Sequence, residues 1–162
     1  MLSMTAEEID ARTTRAQELF KQGFNCSQAV FASCADLYGI TDETLALRLA
    51  SSFGGGIGRM RLTCGAACGM FLLAGLESGS ATIGDAEGKK RNYAMVQDLA
   101  EKFRQENGHL NCSDILGLST QETAHPDPTP APRNPEYFRK RPCVEVVGGA
   151  VRIFLNSIHK NA

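Results

Sequence analysis

Apolar residues recur along most of the chain at intervals of three and four positions, which is the spacing of a helix that buries one face. Between Ile9 and Phe20 they follow this spacing, and the preceding segment TAEE, Thr5 to Glu8, is a capping-box pattern that predicts a helix start. Gly23 predicts the end of this helix, because glycine readily adopts the left-handed conformation found at helix C-termini. No stretch shows the sustained alternation of a β-strand, so we predict an all-α protein.

Similar patterns predict further helices, most of them opened by a polar residue or a proline. They run from Asn25 to Gly39, from Thr41 or Asp42 to Phe53, from Thr63 to Gly79, from Asp85 to Asn107, from Asn111 to Leu118, briefly from Pro135, and from Pro142 to Lys160. Five of the six prolines fall within residues 125–135, which predicts an extended loop there. We therefore expect one domain over residues 1–162, a compact bundle of about seven helices with a Pro-rich loop before the last helix.

Composition and charge argue against several classes of function. The 162 residues carry 17 basic and 18 acidic side chains, so the net charge is −1. Binding to nucleic acid or to an anionic membrane surface usually needs a basic excess, so we expect neither partner. The longest apolar run, Gly65 to Leu76, is shorter than the roughly 20 residues that span a bilayer, and no membrane insertion is expected. The first residues lack the features of a secretory signal, so the expected compartment is the cytoplasm.

Six cysteines are a high number for a reducing compartment, and they indicate metal, cluster or redox chemistry rather than a disulfide scaffold. Four of them fall at the start of a predicted helix, namely Cys26, Cys64, Cys112 and Cys143. A helix N-terminus offers free N–H groups and about half a positive charge, which together lower a thiol pKa by less than about one unit. Basic residues precede three of these cysteines: Lys21 before Cys26, residues 59 and 61 before Cys64, and residues 139–141 before Cys143.

The sequence does not prove that these four cysteines meet in one pocket, but their shared position suggests it. If four thiolates converge, their mutual repulsion exceeds the small stabilisation that the helix ends provide. Only a bound metal ion, an iron–sulfur cluster or disulfide formation then resolves the site. The same four residues are thus candidate reactive thiols and candidate metal ligands. In the remaining alternative, they only pack at tight helix starts.

The other two cysteines have different surroundings in the sequence. Cys34 lies among Ala and Val inside the second predicted helix, where a buried, inert thiol is expected. Cys68 comes four residues after Cys64, on the same face of its helix, where it binds a cofactor, resolves a disulfide or simply packs. The glycine cluster at 54–58 is expected to let the backbone approach a site beside Cys64, with Arg59 as the partner of an anion or cofactor.

The segment CGAACG, Cys64 to Gly69, resembles the CGAxxG signature of the C_GCAxxG_C_C family, whose members are described as redox-active. In this family's four-cysteine pattern, the matching positions are Cys26, Cys64, Cys112 and Cys143. The preceding FGGGIGRMR also looks like the family pattern, and the resemblance extends roughly from Ala16 to the C-terminus. It implies a small helical domain with four functional cysteines and no firmly assigned substrate.

A similar domain occurs in split-Soret cytochrome c, and this resemblance implies that an iron–sulfur centre can be held at the four cysteines. That protein also carries covalent haem. The present sequence has no C-x-x-C-H segment, so we expect no c-type haem. Cys34 and Cys68 depart from the four-cysteine pattern and leave the ligand set open.

We therefore expect a redox-active protein that transfers electrons by dithiol/disulfide exchange or by holding an iron–sulfur cluster. One alternative is a structural zinc site with four cysteine ligands, and another is an interaction module without redox turnover. No hydrolase signature is present. The sequence does not identify the expected redox partner protein, and it leaves open whether the chain forms a homodimer.

Overall fold

A computed structural model describes residues 3–159 of the protein, and within this range the fold is all-α, as predicted. The α-helices are α1 (Ala6–Gln22), α2 (Cys26–Ala32), α3 (Glu43–Ala50), α4 (Gly65–Ser78), α5 (Ala86–Asn107), α6 (Cys112–Ile115), α7 (Thr120–Ala124), α8 (Pro135–Lys140) and α9 (Cys143–His159). Two 3-10 helices, Ala35–Tyr38 and Ser51–Phe53, connect the early elements. Lys160, the predicted end of the last helix, lies outside the described residues.

Local sequence signals set several helix ends where they were predicted. At the start of α1, the Thr5 hydroxyl accepts a hydrogen bond from the Glu8 N–H, and the Glu8 carboxylate accepts one from the Thr5 N–H. Both bonds satisfy backbone or side-chain groups that a helix end otherwise leaves to water. Asp85 caps α5 through the N–H of Gly88, and Gly108 closes it in the left-handed conformation.

Several boundaries differ from the prediction. The third and sixth predicted helices end earlier than expected, at Ala50 rather than Phe53 and at Ile115 rather than Leu118. The predicted second helix breaks after Ala32, because the Ser33 hydroxyl donates to the Val30 carbonyl and competes with regular helix continuation. Cys34 therefore lies at this break rather than inside a helix. Cys64, not Thr63, is the N-cap of α4. The five-residue helix α7 was not predicted, since it is too short to show an apolar period.

The last helix, α9, forms the centre of the core. It packs against α1, α2, α4 and α5, and its residues Val147, Phe154 and Leu155 are fully buried. Burial of a large apolar side chain stabilises the fold by about 1.5–3 kcal/mol, so α9 contributes a large part of the core energy. None of the helices within residues 3–159 has the length and apolar character needed to cross a bilayer.

The Pro-rich segment is extended, as predicted, from residue 125 to residue 134, and Pro135 is the first residue of α8. The aromatic rings of α8 pack on the end of α1, where Phe20 meets Phe138 edge-on with ring centres 6.4 Å apart. Tyr137 lies beside both rings. This aromatic cluster holds the Pro-rich segment near the N-terminal end of α2.

Candidate functional site

The four helix-start cysteines line a single cavity of about 380 Å³, although they belong to distant parts of the chain. Cys64 and Cys112 are buried, with 7% and 8% of their surface exposed, while Cys26 and Cys143 are partly exposed. All four are free thiols. The expectation that they share one pocket is therefore met, whereas their chemical role stays a prediction.

The start of α2 is fixed by reciprocal hydrogen bonds around Asn25. Its side-chain oxygen accepts from the Gln28 N–H at 2.9 Å, and the Gln28 side chain accepts from the Asn25 N–H at 3.0 Å. The Asn25 amide also donates to the Ser51 carbonyl at 2.9 Å, which ties α2 to the segment after α3. Cys26, the next residue, is thereby held in the first turn of its helix at the wall of the cavity.

Helix α4 approaches α2 through the two glycines of the CGAACG segment. A Cβ atom on Gly65 would lie 2.5 Å from the Cys26 sulfur, and one on Gly69 would lie 2.8 Å from the Ser27 carbonyl oxygen. Distances below 3.0 Å are not tolerated by real Cβ atoms. Glycine at both positions is therefore what allows α4 to bring Cys64 beside Cys26.

The loop between α3 and α4 has an unusual left-handed backbone. Residues 55–59 all have φ between +57° and +72°, and Arg61 has φ +61°. Three of these residues, Ile57, Arg59 and Arg61, are not glycine, and the left-handed conformation costs roughly 1–2 kcal/mol for each. The loop is held by backbone bonds such as Leu62 N–H to the Gly56 carbonyl at 2.9 Å. Such strain is characteristic of functional segments.

A short antiparallel pairing places Cys112 next to this loop. The Cys64 N–H donates to the Leu110 carbonyl at 2.9 Å, and the Cys112 N–H donates to the Leu62 carbonyl at 2.6 Å. Between them Thr63 and Asn111 form an isolated bridge. Thr63 is thus engaged with the opposite segment, which explains why the cap of α4 moves to Cys64.

The Pro-rich segment forms the outer wall of the cavity through Pro128, Pro130 and Ala131. Arg133 anchors this segment by donating to the carbonyls of Phe20 at 2.7 Å and Phe24 at 3.2 Å. Its guanidinium also stacks over the Phe20 ring, 4.1 Å from the centroid. Sequence reasoning missed these residues, because an irregular segment carries no periodicity from which contacts can be predicted.

Burial outweighs the helix N-termini in setting the thiol pKa values. Desolvation is the largest cause of the raised pKa of Cys26 and Cys64, and it raises the pKa of Cys143 to about 12. Backbone N–H groups lower the pKa of Cys64 and Cys26, as expected at helix starts, but by less than burial raises it. The three thiols are therefore protonated at neutral pH in this arrangement.

Four arginines also line the cavity, namely Arg59, Arg61, Arg133 and Arg141. Arg61 Nη1 lies 3.5 Å from the Cys112 sulfur, as a hydrogen-bond donor. The charges of Arg141 and Arg133 lower the pKa of Cys143, although burial and a charge on Cys26 raise it more. Of these four, the sequence singled out Arg59 as a cofactor-binding residue, and its position on the cavity wall is compatible with that prediction.

Cys34 and Cys68 lie outside the set of residues that line the cavity. Cys34 is fully buried, as expected, and desolvation raises its pKa to about 11. Cys68 is buried in α4, where its thiol donates to the Thr63 carbonyl oxygen at 3.7 Å. A charge on Cys26 also raises the pKa of Cys68, after burial. Cofactor binding by Cys68 stays a prediction.

The donor set is suited in chemistry to a metal or an iron–sulfur cluster, which cysteine thiolates bind. Within residues 3–159, no three His, Cys, Asp or Glu side chains lie close enough together to hold one metal ion. A tetrahedral zinc site needs four sulfurs at about 2.3 Å from a single ion. A cluster accepts more widely spaced thiolates. Ligation of zinc or of a cluster by the four cysteines stays a prediction.

Fold and cavity together define an all-α, cysteine-rich protein in which four of the six cysteines line one cavity. A family model described as "Putative redox-active protein (C_GCAxxG_C_C)" matches residues 24–157, and the chain belongs to this family. The matched range contains all four cavity cysteines and all four cavity arginines. Comparison with curated proteins found no match, and comparison with solved structures found none either. The relation to split-Soret cytochrome c remains an expectation from the sequence.

Proposed function

We propose that this redox-active protein works by two-electron dithiol/disulfide exchange, with Cys26 and Cys64 as the reacting pair. The observation that carries the proposal is the cavity itself, where cysteines from four separate helices share one wall. Four thiols that only packed the core would have no reason to face the same open space. Two thiols there can lose two protons and two electrons and form one disulfide bond.

The choice of Cys26 and Cys64 rests on the close packing of α2 and α4. The Cys26 sulfur lies directly against the backbone of Gly65, the residue that follows Cys64. After burial, a charge on Cys26 is the largest cause that raises the pKa of Cys64. A charge on Cys26 also raises the pKa of Cys143, after burial, which supports the choice of Cys26.

Raised thiol pKa values give the resting protein a low reactivity. The thiolate is the nucleophile in disulfide exchange, so the buried, protonated Cys64 reacts only after a proton acceptor or a partner protein removes its proton. Cys26 is a partly exposed residue whereas Cys64 is buried, and the N–H of Gly55 lowers the pKa of the Cys26 thiol against the effect of burial. We assign Cys26 as the attacking thiol and Cys64 as the resolving thiol.

A redox titration of anaerobically purified, iron-free protein tests this function. The thiol content is followed against defined dithiol/disulfide buffers, and the disulfide is located by peptide mapping. We expect one reversible two-electron couple that disappears in Cys26→Ser and in Cys64→Ser. Cys34→Ala is the matched control, because Cys34 is buried away from the cavity, and it should keep the couple. A wild-type protein without a two-electron couple would contradict the proposal.

An iron–sulfur cluster is the second candidate, and the four arginines favour it. A cluster bound by four thiolates is anionic, and four guanidinium groups on the same cavity wall would offset its charge. Cys26, Cys64, Cys112 and Cys143 would hold it, and it would supply one-electron transfer. Anaerobic reconstitution followed by iron and sulfide analysis tests this. Colourless, iron-free protein after reconstitution would contradict it, and a stoichiometric zinc content would favour the zinc alternative instead.

A redox partner protein, homodimer formation and a cytoplasmic location stay predictions from the sequence. Size-exclusion chromatography with light scattering tests the oligomeric state directly. Cross-linking of the oxidised protein in cell extracts under anaerobic conditions tests for a partner that exchanges disulfides with it.

A further inference from the structure

The charge on the cavity wall is strongly one-sided. Four arginines line it, and within residues 3–159 none of the lining residues is acidic. None of these four guanidinium groups forms a salt bridge with a carboxylate in the described part of the chain, although five salt bridges occur elsewhere in it. An arginine that is partly buried without a counter-ion is costly, so four of them in one place need an explanation.

Neighbouring groups do not balance these charges. The pKa of Arg59 is lowered, first by burial and then by the like charge of Arg61, and Asp127 only partly offsets this. Arg141 adds a further like charge near Arg59. The cavity therefore concentrates positive charge beside the cysteines, and an anion bound there would reduce the repulsion.

Three of the four arginines also have a position that suits ligand binding. Arg133 is fixed by two carbonyl groups and by stacking on Phe20, and Arg141 stacks over the Tyr137 ring at 4.6 Å. Planar contacts of this kind hold a guanidinium in place while its remaining N–H groups stay free. Arg61 reaches the Cys112 sulfur. The positive charges are thus placed around the thiols and not merely near them.

The rest of the wall is apolar. Pro128, Pro130, Ala131, Ile115 and Leu116 line the cavity, and its volume of about 380 Å³ falls in the range of small-molecule sites. An inorganic ion would leave most of these surfaces without a contact. A small organic anion would use both the arginines and the apolar wall.

We propose that the cavity thiols act on a small organic disulfide that carries carboxylate groups. This inference rests on the proposed dithiol function and names its substrate class. The carboxylates bind the arginines, the carbon chain contacts the proline-lined wall, and the disulfide bond lies against Cys26.

The step balances in atoms and electrons. The Cys26 thiolate attacks one sulfur of the substrate disulfide RS–SR, so that a mixed disulfide forms and one RS⁻ leaves. The Cys64 thiolate then attacks the Cys26 sulfur, which forms the protein disulfide and releases the second RS⁻. The substrate gains two electrons, the cysteine pair loses two, and the two protons of the protein thiols pass to the two RS⁻ products or to water.

Three disulfides of similar size and different charge test the substrate class. Dithiodiglycolate is dianionic, 2-hydroxyethyl disulfide is neutral, and cystamine is dicationic. Each is mixed with the reduced, iron-free protein, and the rate of thiol loss is measured. This rate is divided by the rate at which the same disulfide reacts with free 2-mercaptoethanol. At low salt, we expect the normalised rate with dithiodiglycolate to exceed that with the neutral disulfide by about tenfold or more, and the rate with cystamine to be the lowest. The preference should fall as ionic strength rises.

Two arginine variants distinguish the effect of a charge in the cavity from the effect of the protein's net charge. Arg141→Gln removes a cavity charge, and it should lower the ratio of the anionic to the neutral rate by about threefold. Arg139→Gln is the matched control, because Arg139 lies in α8 two residues earlier and is exposed outside the cavity. The ratio corrects for any change in thiol pKa, since both disulfides react with the same thiol.

The outcomes distinguish failure of this inference from failure of the function. If none of the three disulfides oxidises the protein and the redox titration also shows no two-electron couple, the dithiol function is wrong. If the titration does show the couple, the function stands and the substrate class is wrong. If all three react in the proportions seen with free 2-mercaptoethanol, the function stands and the anionic substrate class is wrong. An equal fall of the ratio in both arginine variants would also contradict the cavity site.

Discussion

The two-glycine contact between α2 and α4 makes a quantitative prediction for Gly69→Ala. An added methyl group at this position would lie 2.8 Å from the Ser27 carbonyl oxygen and 3.0 Å from the Val30 Cβ. The nearest atom belongs to the backbone of a packed helix, so it has little freedom to move aside. The substitution therefore pushes α4 away from Ser27 and Val30 of α2, about one turn beyond the point where Gly65 meets the Cys26 sulfur.

Two opposite effects determine how much Gly69→Ala changes the free energy of unfolding. Alanine in place of glycine inside a helix favours folding by about 1 kcal/mol. Overpacking of a tight core contact costs about 1–3 kcal/mol. The net change in the free energy of unfolding for Gly69→Ala is thus between about zero and a loss of 2 kcal/mol.

Gly75→Ala in the same helix isolates the steric part. Gly75 lies in the interior of α4, and an added Cβ there would meet nothing within 4 Å. This control gains the same helix propensity without the clash, so it should be stabilised by about 1 kcal/mol. The two variants should differ by about 1–3 kcal/mol, which is the overpacking cost alone.

Urea denaturation under reducing conditions measures this difference. For a slope of about 2 kcal/mol per molar urea, the two midpoints should lie about 0.5–1.5 M apart, with Gly69→Ala lower. The rate at which a Cys26–Cys64 disulfide forms should fall in the same variant. If Gly69→Ala proves as stable as Gly75→Ala, the contact between α2 and α4 is looser than described, and the account of the signature glycines is refuted.

Substitutions at three further positions test other parts of the structure. Burial raises the pKa of Cys34 from 9.0 to about 11, so the folded state is stabilised by the protonated thiol below pH 9, and this stabilisation is lost as the pH rises to 11. The loss amounts to about 3 kcal/mol in the free energy of unfolding. In urea titrations at several pH values, the stability of Cys34→Ala should therefore fall less steeply with pH than that of the wild type. Arg133→Lys removes the paired carbonyl bonds and the stacking on Phe20, so limited proteolysis within residues 125–134 should accelerate, and unchanged cleavage would contradict the anchoring role. Asn25→Ala should cost about 1 kcal/mol in unfolding free energy through the lost cap, whereas Asn25→Ser should keep most of it.

Much of the helical framework could be predicted from the sequence because its signals are local. Thr5, Asp42 and Asp85 each accept a hydrogen bond from the N–H three residues later, as their positions before apolar periodic segments indicated. The placement of Cys26, Cys112 and Cys143 as the first residues of helices follows from the same kind of signal.

The thiol environment could be predicted only in part. The helix-start pattern indicated a modest lowering of the thiol pKa, and the N–H groups of Ala66 and Ala67 do lower that of Cys64. The larger effect is burial, which depends on how distant segments cover the sulfur and leaves no trace in the local sequence. For the same reason, the sequence reasoning did not include Arg133 among the candidate site residues.

The left-handed loop between α3 and α4 shows a second limit of prediction from the sequence. Its glycines predicted a close approach of the backbone to a site beside Cys64, but nothing in the sequence indicates positive φ at Ile57, Arg59 and Arg61. A β-branched residue such as isoleucine is ordinarily excluded from this conformation. Only the surrounding hydrogen bonds and the pairing with the segment before Cys112 make the arrangement stable.

The central position of α9 has a consequence for biosynthesis. This helix is made last among the described elements, yet α1, α2, α4 and α5 all bury residues against it. Until it leaves the ribosome, the earlier helices lack their common support, and Cys26, Cys64 and Cys112 have no finished pocket around them. We therefore expect the newly made chain to pass through a stage in which these sulfurs are less protected from oxidants, until the final helix docks and completes the pocket.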